Sequence, residues 1–321
     1  MEALSPISIK KINQSNDFMN SMLELNITGK NVDNTVINTI RRTILTHIPI
    51  YVYDNIEITK NTSVFDNNYI KLRLKNIPVI GIKTKTNIYQ EKNTDDDEDL
   101  YIMDDTGIAP DNTDINTDSL NEMSIYIDKI NTDIDIITVG TNDCSFYYQG
   151  KQIKNPYKVN IPIIKLQPGQ EIKMTAITKL GIEKMNTVYS PVSVCMFKKN
   201  KDNDFNFTLE SRGQLTENEI LNYSIDNILQ VLNNVEELVK EIDNKELKGL
   251  IEVNNMEHTV GNLIATGFTL HKDVKYGCYN MPHLLDSKIN IKYELKKNNI
   301  NNVLIDIVNY YRKLFKSIKF E

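Results

Sequence analysis

Thr35-Val36-Ile37-Asn38-Thr39-Ile40-Arg41-Arg42 and Thr259-Val260-Gly261-Asn262-Leu263-Ile264-Ala265-Thr266 share the pattern T-V-x-N-x-I, 259 − 35 = 224 residues apart. Each stretch reads as the opening of a helix. In the first copy Asp33-Asn34-Thr35 supplies side chains able to cap free backbone N–H groups. Val36, Ile37, Ile40, Ile44 and Ile48 then recur on one helical face, Arg41 and Arg42 fall largely off it, and Pro49 ends the run. In the second copy His258-Thr259 opens the helix. A strand candidate precedes each: Ser21–Thr28, with Met22, Leu23, Leu25 and Ile27, and Leu250–Val253.

Each copy is followed, at a distance, by a longer helix. Thr216-Glu217-Asn218-Glu219 is a capping box, and behind it Leu221, Ile225, Ile228, Leu232, Val235, Val239 and Ile242 advance in steps of 4 and 3. Ile300, Leu304, Ile307, Tyr311, Leu314 and Ile318 repeat that rhythm near the other end of the sequence. The chain therefore reads as two versions of one unit: strand, capped helix, further strands, long seam helix. Six or seven seam residues, at about 1.5–3 kcal/mol each when buried, leave an apolar face that needs a partner. The simplest partner is the other unit, packed about a pseudo-two-fold axis, since a covalent link supplies a roughly millimolar effective concentration. The plainer alternative is that each seam packs on its own sheet and the repeat is coincidence.

The fold class expected is α+β: two dimerisation units paired about a pseudo-two-fold axis, with a β-rich insertion domain in the first. The boundaries expected are 1–49 and 183–243 for the first unit, 50–182 for the insertion, 244–249 for a linker and 250–321 for the second unit. Ile40, Ile44, Ile225, Ile228, Leu232, Val235, His258, Gly261, Asn262, Leu263, Leu304, Ile307, Tyr311 and Leu314 are the residues expected at the internal interface. Asn38 and Asn262 are expected to hydrogen-bond neighbouring backbone.

Within the insertion, Tyr51–Thr59, Tyr69–Leu74, Ser124–Tyr126 and Gln170–Lys179 read as strands, with a turn at Gln167-Pro168-Gly169-Gln170; Val188–Phe197 and Asn206–Ser211 read as strands after it. Glu91–Asp118, containing Asp95-Asp96-Asp97-Glu98-Asp99, reads as a solvated loop. A calcium loop starting at Asp95 would need Gly at its sixth position and Glu at its twelfth, where the sequence has Leu100 and Thr106.

Composition narrows the function classes. The 321 residues carry a net charge of -6 with 40% apolar residues, so nucleic acid is not expected as a direct partner, because each neutralised phosphate needs Lys or Arg. No stretch approaches the roughly 20 apolar residues of a membrane span, and Met1–Lys11, broken by Pro6, has no signal-peptide core. Cys144, Cys195 and Cys278 form neither a disulfide framework nor a zinc knuckle, which fits a reducing compartment. His258, His271, Cys278 and His283 fall within 26 residues, but with spacing too loose for a zinc site. No phosphate-binding loop, nucleophile elbow or D-x-D-G-D occurs, and Asp133-Ile134-Asp135 lacks further ligands. No metal, no cofactor and no catalytic residue are expected.

Asn38-Thr39-Ile40-Arg41-Arg42-Thr43-Ile44-Leu45 resembles the N-A-L-R-R-I-L-L segment of the alpha-like subunits of multisubunit DNA-directed RNA polymerases. Asn61-Thr62-Ser63-Val64 with Leu72–Pro78, and then Gly181-Ile182 with Tyr189-Ser190-Pro191-Val192, resemble later motifs of the larger, third-subunit-type members. His258–Ile264, Tyr276-Gly277 and Pro282-His283 resemble the small, eleventh-subunit-type partner, with Leu284 in place of a family Pro. The matches run in family order and leave only about residues 84–160 outside them.

The resemblance implies a fusion of the two alpha-like subunits acting as a non-catalytic scaffold. Its implied partners are the two largest polymerase subunits, together with small polymerase subunits, and DNA is reached only through the complex. It places Arg41 and Arg42, with Asn38, Asn61, Ser63, Ser190 and Pro191, at partner-docking surfaces. A fused chain resembles the arrangement in some large cytoplasmic DNA viruses, which implies the host cytoplasm (viral factory) and the virion; a cellular member would be nuclear. Ala265 and Thr266 stand where the first copy has Arg41 and Arg42, so the two faces are not equivalent. The alternatives are a homodimeric binding or regulatory module without polymerase, which needs only one seam, and an enzyme with a site in the insertion.

Overall fold

A computed structural model describes residues 5–17, 20–82, 122–240, 246–254, 257–283, 288–297 and 299–320. The chain opens with β1 (Ser8–Asp17), β2 (Asn20–Thr28) and α1 (Asn34–Thr46). There follow β3 (Ile50–Asn61), α2 (Asn67–Lys75), β4 (Met123–Ile130), β5 (Ile137–Gly140), β6 (Ser145–Tyr148), β7 (Lys151–Ile153), β8 (Pro162–Leu166) and β9 (Glu171–Gly181). Next come β10 (Val192–Lys201), β11 (Asp204–Ser211) and α3 (Glu217–Lys240). The chain finishes with β12 (Lys248–Asn254), α4 (His258–Leu270), β13 (Val274–Asn280), β14 (Lys288–Leu295) and α5 (Ile300–Ser317).

Two compact units divide the described residues, one holding 5–50 and 182–320, the other 51–82 and 122–181. Both copies of the sequence repeat lie in the first unit. Its first half is an antiparallel sheet in the order β1-β2-β11-β10, and its second half an antiparallel sheet in the order β12-β14-β13. Leaving β1 aside, the strand orders correspond one to one. Alternate residues of the central strands point into the core: Leu23, Leu25 and Ile27 on β2, Phe205, Phe207 and Leu209 on β11, and Ile289, Ile291, Tyr293 and Leu295 on β14.

The helices correspond residue by residue. Asp33 precedes α1 and Glu257 precedes α4 as cap residues, 224 apart, and the six buried positions of α1 (Val36, Ile37, Thr39, Ile40, Thr43, Ile44) recur 224 residues later as Val260, Gly261, Leu263, Ile264, Gly267 and Phe268. Thr216 caps α3 in the capping box, its backbone N and hydroxyl each 2.9 Å from Glu219 Oε2, and Asn299 caps α5. Measured from those caps, 83 residues apart, the buried residues 217, 220, 221, 224, 225, 227, 228 and 232 of α3 fall on 300, 303, 304, 307, 308, 310, 311 and 315 of α5. Equivalent helices meet across the halves, α1 with α4 and α3 with α5, while α1 also packs on α3 and α4 on α5.

The second unit is a five-stranded sheet in the order β3-β9-β4-β6-β7 with a two-stranded ribbon β5-β8 and the helix α2. Three strand assignments change here. Tyr69–Leu74, expected as a strand, lies within α2: the Asp66 carboxylate accepts from Asn68 N at 2.9 Å, and Ile70 and Leu74, four apart, are the residues that bury. β1 was missed because it is a polar outer strand whose alternation breaks at a bulge between Lys11 and Asn13. β13 was missed because Gly277 reads as a turn residue; the strand needs glycine there, since a Cβ would sit 2.3 Å from Phe268 Cδ2. The expected linker gives Lys248 and Gly249 to β12. The acidic stretch Glu91–Asp118, the last seam position Ile242 and the family departure Leu284 lie outside the described residues.

Candidate docking and pairing surfaces

Helices α1 and α4, and α3 and α5, meet across the halves, and polar contacts join them. Ile40, Ile44, Ile225, Ile228, Leu232, Val235, Leu263, Leu304, Ile307, Tyr311 and Leu314 are all buried. Between α1 and α4, Thr35 Oγ1 lies 3.1 Å from Thr266 Oγ1, and Arg42 Nε donates to Thr259 Oγ1 at 2.8 Å. These two contacts are one contact seen twice. Thr259 is the equivalent of Thr35 and Thr266 the equivalent of Arg42, so each joins position 35 of one half to position 42 of the other. That reciprocity is the signature of a two-fold, isologous interface.

Further polar contacts join the halves. Asn31 Nδ2 donates to Tyr310 Oη at 3.0 Å. Glu257, at the cap of α4, faces His47 Nε2 at 3.6 Å and Lys184 Nζ at 3.0 Å, both from the first half. The neighbouring His47, and after it Lys184, overcome partial burial and hold the Glu257 carboxyl down at about 2. At the equivalent cap, Asp33 accepts from Val36 N at 2.8 Å, and burial raises its carboxyl above the ordinary range.

Two of the residues expected at the interface pack elsewhere. The His258 ring lies edge-on to Tyr279, with centroids 5.9 Å apart, and a Cβ on Gly261 would meet Tyr279 Cδ2 at 2.4 Å. Both therefore fit α4 onto the sheet of its own half. Asn262 is half-buried.

The residues expected to dock partners divide in the same way. Arg41 is half-buried on α1, and its Nε and Nη2 reach Asn38 Oδ1 at 3.1 and 3.0 Å. Asn38 thus orients a guanidinium rather than bonding backbone, and Arg41 is held ready with donors to spare. Arg42, one residue on, turns into the chain to meet Thr259, because the dyad-related contact requires it. Pro191 is buried, and Ser190 Oγ donates to Val192 O at 2.9 Å, so this turn shapes the entry to β10; Arg212 Nη1 supports it through Val188 O at 3.1 Å. In the second unit Asn61 accepts from Ser63 N at 3.0 Å and from Ser63 Oγ at 2.6 Å, and donates to Phe65 O at 2.9 Å. That loop leads into α2, and Val64, Tyr69 and Leu72 are exposed along this stretch.

The three cysteines are free, and burial pushes the Cys144 and Cys195 thiols up to about 12. Among the described residues no three His, Cys, Asp or Glu side chains gather as a metal site would require. His271 Nε2 faces Asp306 at 3.4 Å and Cys278 Sγ takes the Tyr276 hydroxyl at 3.1 Å, so members of the loose histidine–cysteine group have separate neighbours.

Comparison with known proteins matches two stretches to the RNA polymerase Rpb3/Rpb11 dimerisation domain, residues 26–232 and residues 249–321. A putative DNA-directed RNA polymerase subunit of Acanthamoeba polyphaga mimivirus is 22% identical, covering 92% of this chain and 89% of that protein. The polymerase subunit Rpo3 of Pyrobaculum arsenaticum is 29% identical over 51% of this chain and 54% of its own length. RNA polymerase II subunit rpb3 of Dictyostelium discoideum is 26% identical over 52% of this chain and 51% of its own length.

Proposed function

The chain belongs to the RNA polymerase Rpb3/Rpb11 dimerisation-domain family, and we propose that it is a non-catalytic assembly subunit of a DNA-directed RNA polymerase in which both members of the pair are one polypeptide. The observation that carries this reading is the reciprocal contact of α1 and α4. Two dimerisation domains are here paired within one compact unit. The fusion supplies the partner at roughly millimolar effective concentration, so pairing does not wait on a second chain.

The outward duty of such a platform is to dock the two largest subunits, which carry the nucleotidyltransferase chemistry. On this reading Arg41, clamped by Asn38, is the anchor: a planar guanidinium with its rotamer already fixed loses little freedom when a partner carboxylate or carbonyl arrives. The Asn61–Ser63 loop with the exposed side chains of α2 is a second surface, suited to another polymerase subunit. DNA is reached only through the complex, in keeping with the net charge of -6. The near full-length similarity to a mimivirus protein supports a viral transcription apparatus in the host cytoplasm.

The test is affinity purification of the tagged protein from its native source, wild type beside Arg41→Glu with Arg42 left intact. Two very large polymerase chains should accompany the wild type and be lost with the variant, at unchanged Tm. Purification of the wild type without them would overturn the proposal.

A further inference from the structure

One charged contact in the seam has partners that differ from their own dyad equivalents. Arg312 on α5 places Nη1 2.7 Å from Asn309 Oδ1 of its own helix, and Nη2 3.0 Å from Asn233 Oδ1 of α3. The same Nη2 forms an ion pair with Glu236 of α3. Both charged side chains are largely withdrawn from solvent, 19% exposed for Arg312 and 25% for Glu236, so their charges are felt more strongly than those of a surface pair.

The correspondence between α3 and α5 tells what these groups would meet in a wrong pairing. With caps 83 residues apart, Asn233 corresponds to Lys316 and Arg312 to Leu229, while α5 ends at Ser317 before reaching an equivalent of Glu236. If two second halves paired about the same axis, Arg312 would face Lys316 of the other copy and find no carboxylate in place of Glu236, and would do so twice. If two first halves paired, the apolar Leu229 would face Asn233 and Glu236, offering the carboxylate neither a cation nor a hydrogen-bond donor at that contact. Only first-with-second joins Arg to Glu.

We propose that Arg312, with Glu236 as its partner and Lys316 as the repelling alternative, helps the paired halves select each other and reject pairing between like halves. The apolar seams are buried in every pairing and carry no charge, so they supply no such electrostatic difference. An ion pair with the right partner, a like-charge contact between two second halves and a carboxylate set against leucine between two first halves together supply the difference. This inference rests on the internal pairing and is independent of which complex the chain joins.

The test uses the full chain. Arg312→Glu puts two carboxylates together inside the chain and makes a pairing of second halves attractive, since Glu would then face Lys316. Its Tm should fall, and sedimentation should show concentration-dependent association toward twice 37.0 kDa, on the order of tenfold stronger than wild type. Adding Glu236→Arg should restore Tm and the single-chain mass. Adding Lys316→Glu to Arg312→Glu instead should abolish the association without restoring Tm. Should Arg312→Glu not fold, Arg312→Gln and Glu236→Gln, singly and together, give the coupling: the double variant should lose no more Tm than either single one. Equal Tm for Arg312→Glu with and without Glu236→Arg, additive losses in the glutamine cycle, or an Arg312→Glu chain that gains no self-association would each overturn the proposal.

Discussion

Helices α1 and α4 bury the same six positions, yet at two of them the first half has Ile37 and Thr43 where the second has Gly261 and Gly267. The glycines are not there for backbone freedom. A Cβ on Gly261 would meet Tyr279 at 2.4 Å, and one on Gly267 would meet Ile307 Cγ2 at 2.4 Å. In the second half a ring and a β-branched side chain from the same half occupy the volume that α1 fills with its own side chains. At neighbouring positions the difference runs the other way, with Arg41 and Arg42 against Ala265 and Thr266. The dyad thus fixes which positions bury but not what fills them. Symmetry fixes which positions meet, while the side chains differ between the halves even at the shared interface, as Arg42 and its equivalent Thr266 do.

The comparison can be broken most forcefully at the seams. Leu304→Ala and its equivalent Leu221→Ala, both essentially fully buried, should each lower unfolding free energy by about 2–5 kcal/mol in denaturant titrations. A large loss at one and none at the other would show that the halves do not share one core. Next comes Gly261→Ile, which writes the first half's residue into the second. Overpacking against Tyr279 should cost about 3 kcal/mol, the upper part of the usual range, whereas a neutral result would mean α4 can move off Tyr279.

Smaller effects sharpen the dyad itself. In double-mutant cycles Arg42/Thr259 should couple by about 1.5–3 kcal/mol, as a hydrogen bond from a charged donor, and Thr35/Thr266 by about 0.5–1.5 kcal/mol. Equal couplings would remove the asymmetry that the arginine introduces.

The smallest effect is one of pH. Because the Glu257 carboxyl is held near 2 in the folded chain, below its usual 4.5, its contribution is complete above about 4.5 and drains away as pH falls toward 2. After allowance for partial exposure that contribution is on the order of 1 kcal/mol. Glu257→Gln should flatten the stability–pH curve in that window, and a curve of unchanged slope would discard the cluster with His47 and Lys184 as a stabilising one.

Much of the architecture was legible along the chain. The T-V-x-N-x-I repeat, the Thr216–Glu219 capping box and the 4-3 seams are local patterns, and each constrains a single element: where a helix starts, which face is apolar, how far it runs. They were enough to identify two related units that need each other. Where the local signal was weak or misleading, the reading failed: polar, bulged β1 offered no alternation, Gly277 imitated a turn, and the apolar spacing of Tyr69–Leu74 fitted a strand as well as a helix until Asp66 was seen to cap it.

What the sequence alone determined is therefore the inventory of elements and the fact of their repetition, because periodicity and capping act over a few neighbouring residues. Only the tertiary structure decided which side chains face which. Arg41 and Arg42 are adjacent and identical in chemistry, yet one is clamped by Asn38 on its own helix and the other bonds Thr259, more than two hundred residues away. Arg312 likewise looks like one more solvated arginine until α3 brings Glu236 beside it. A side chain's partner is set by the meeting of two surfaces, and that meeting depends on distances that no spacing along one element contains.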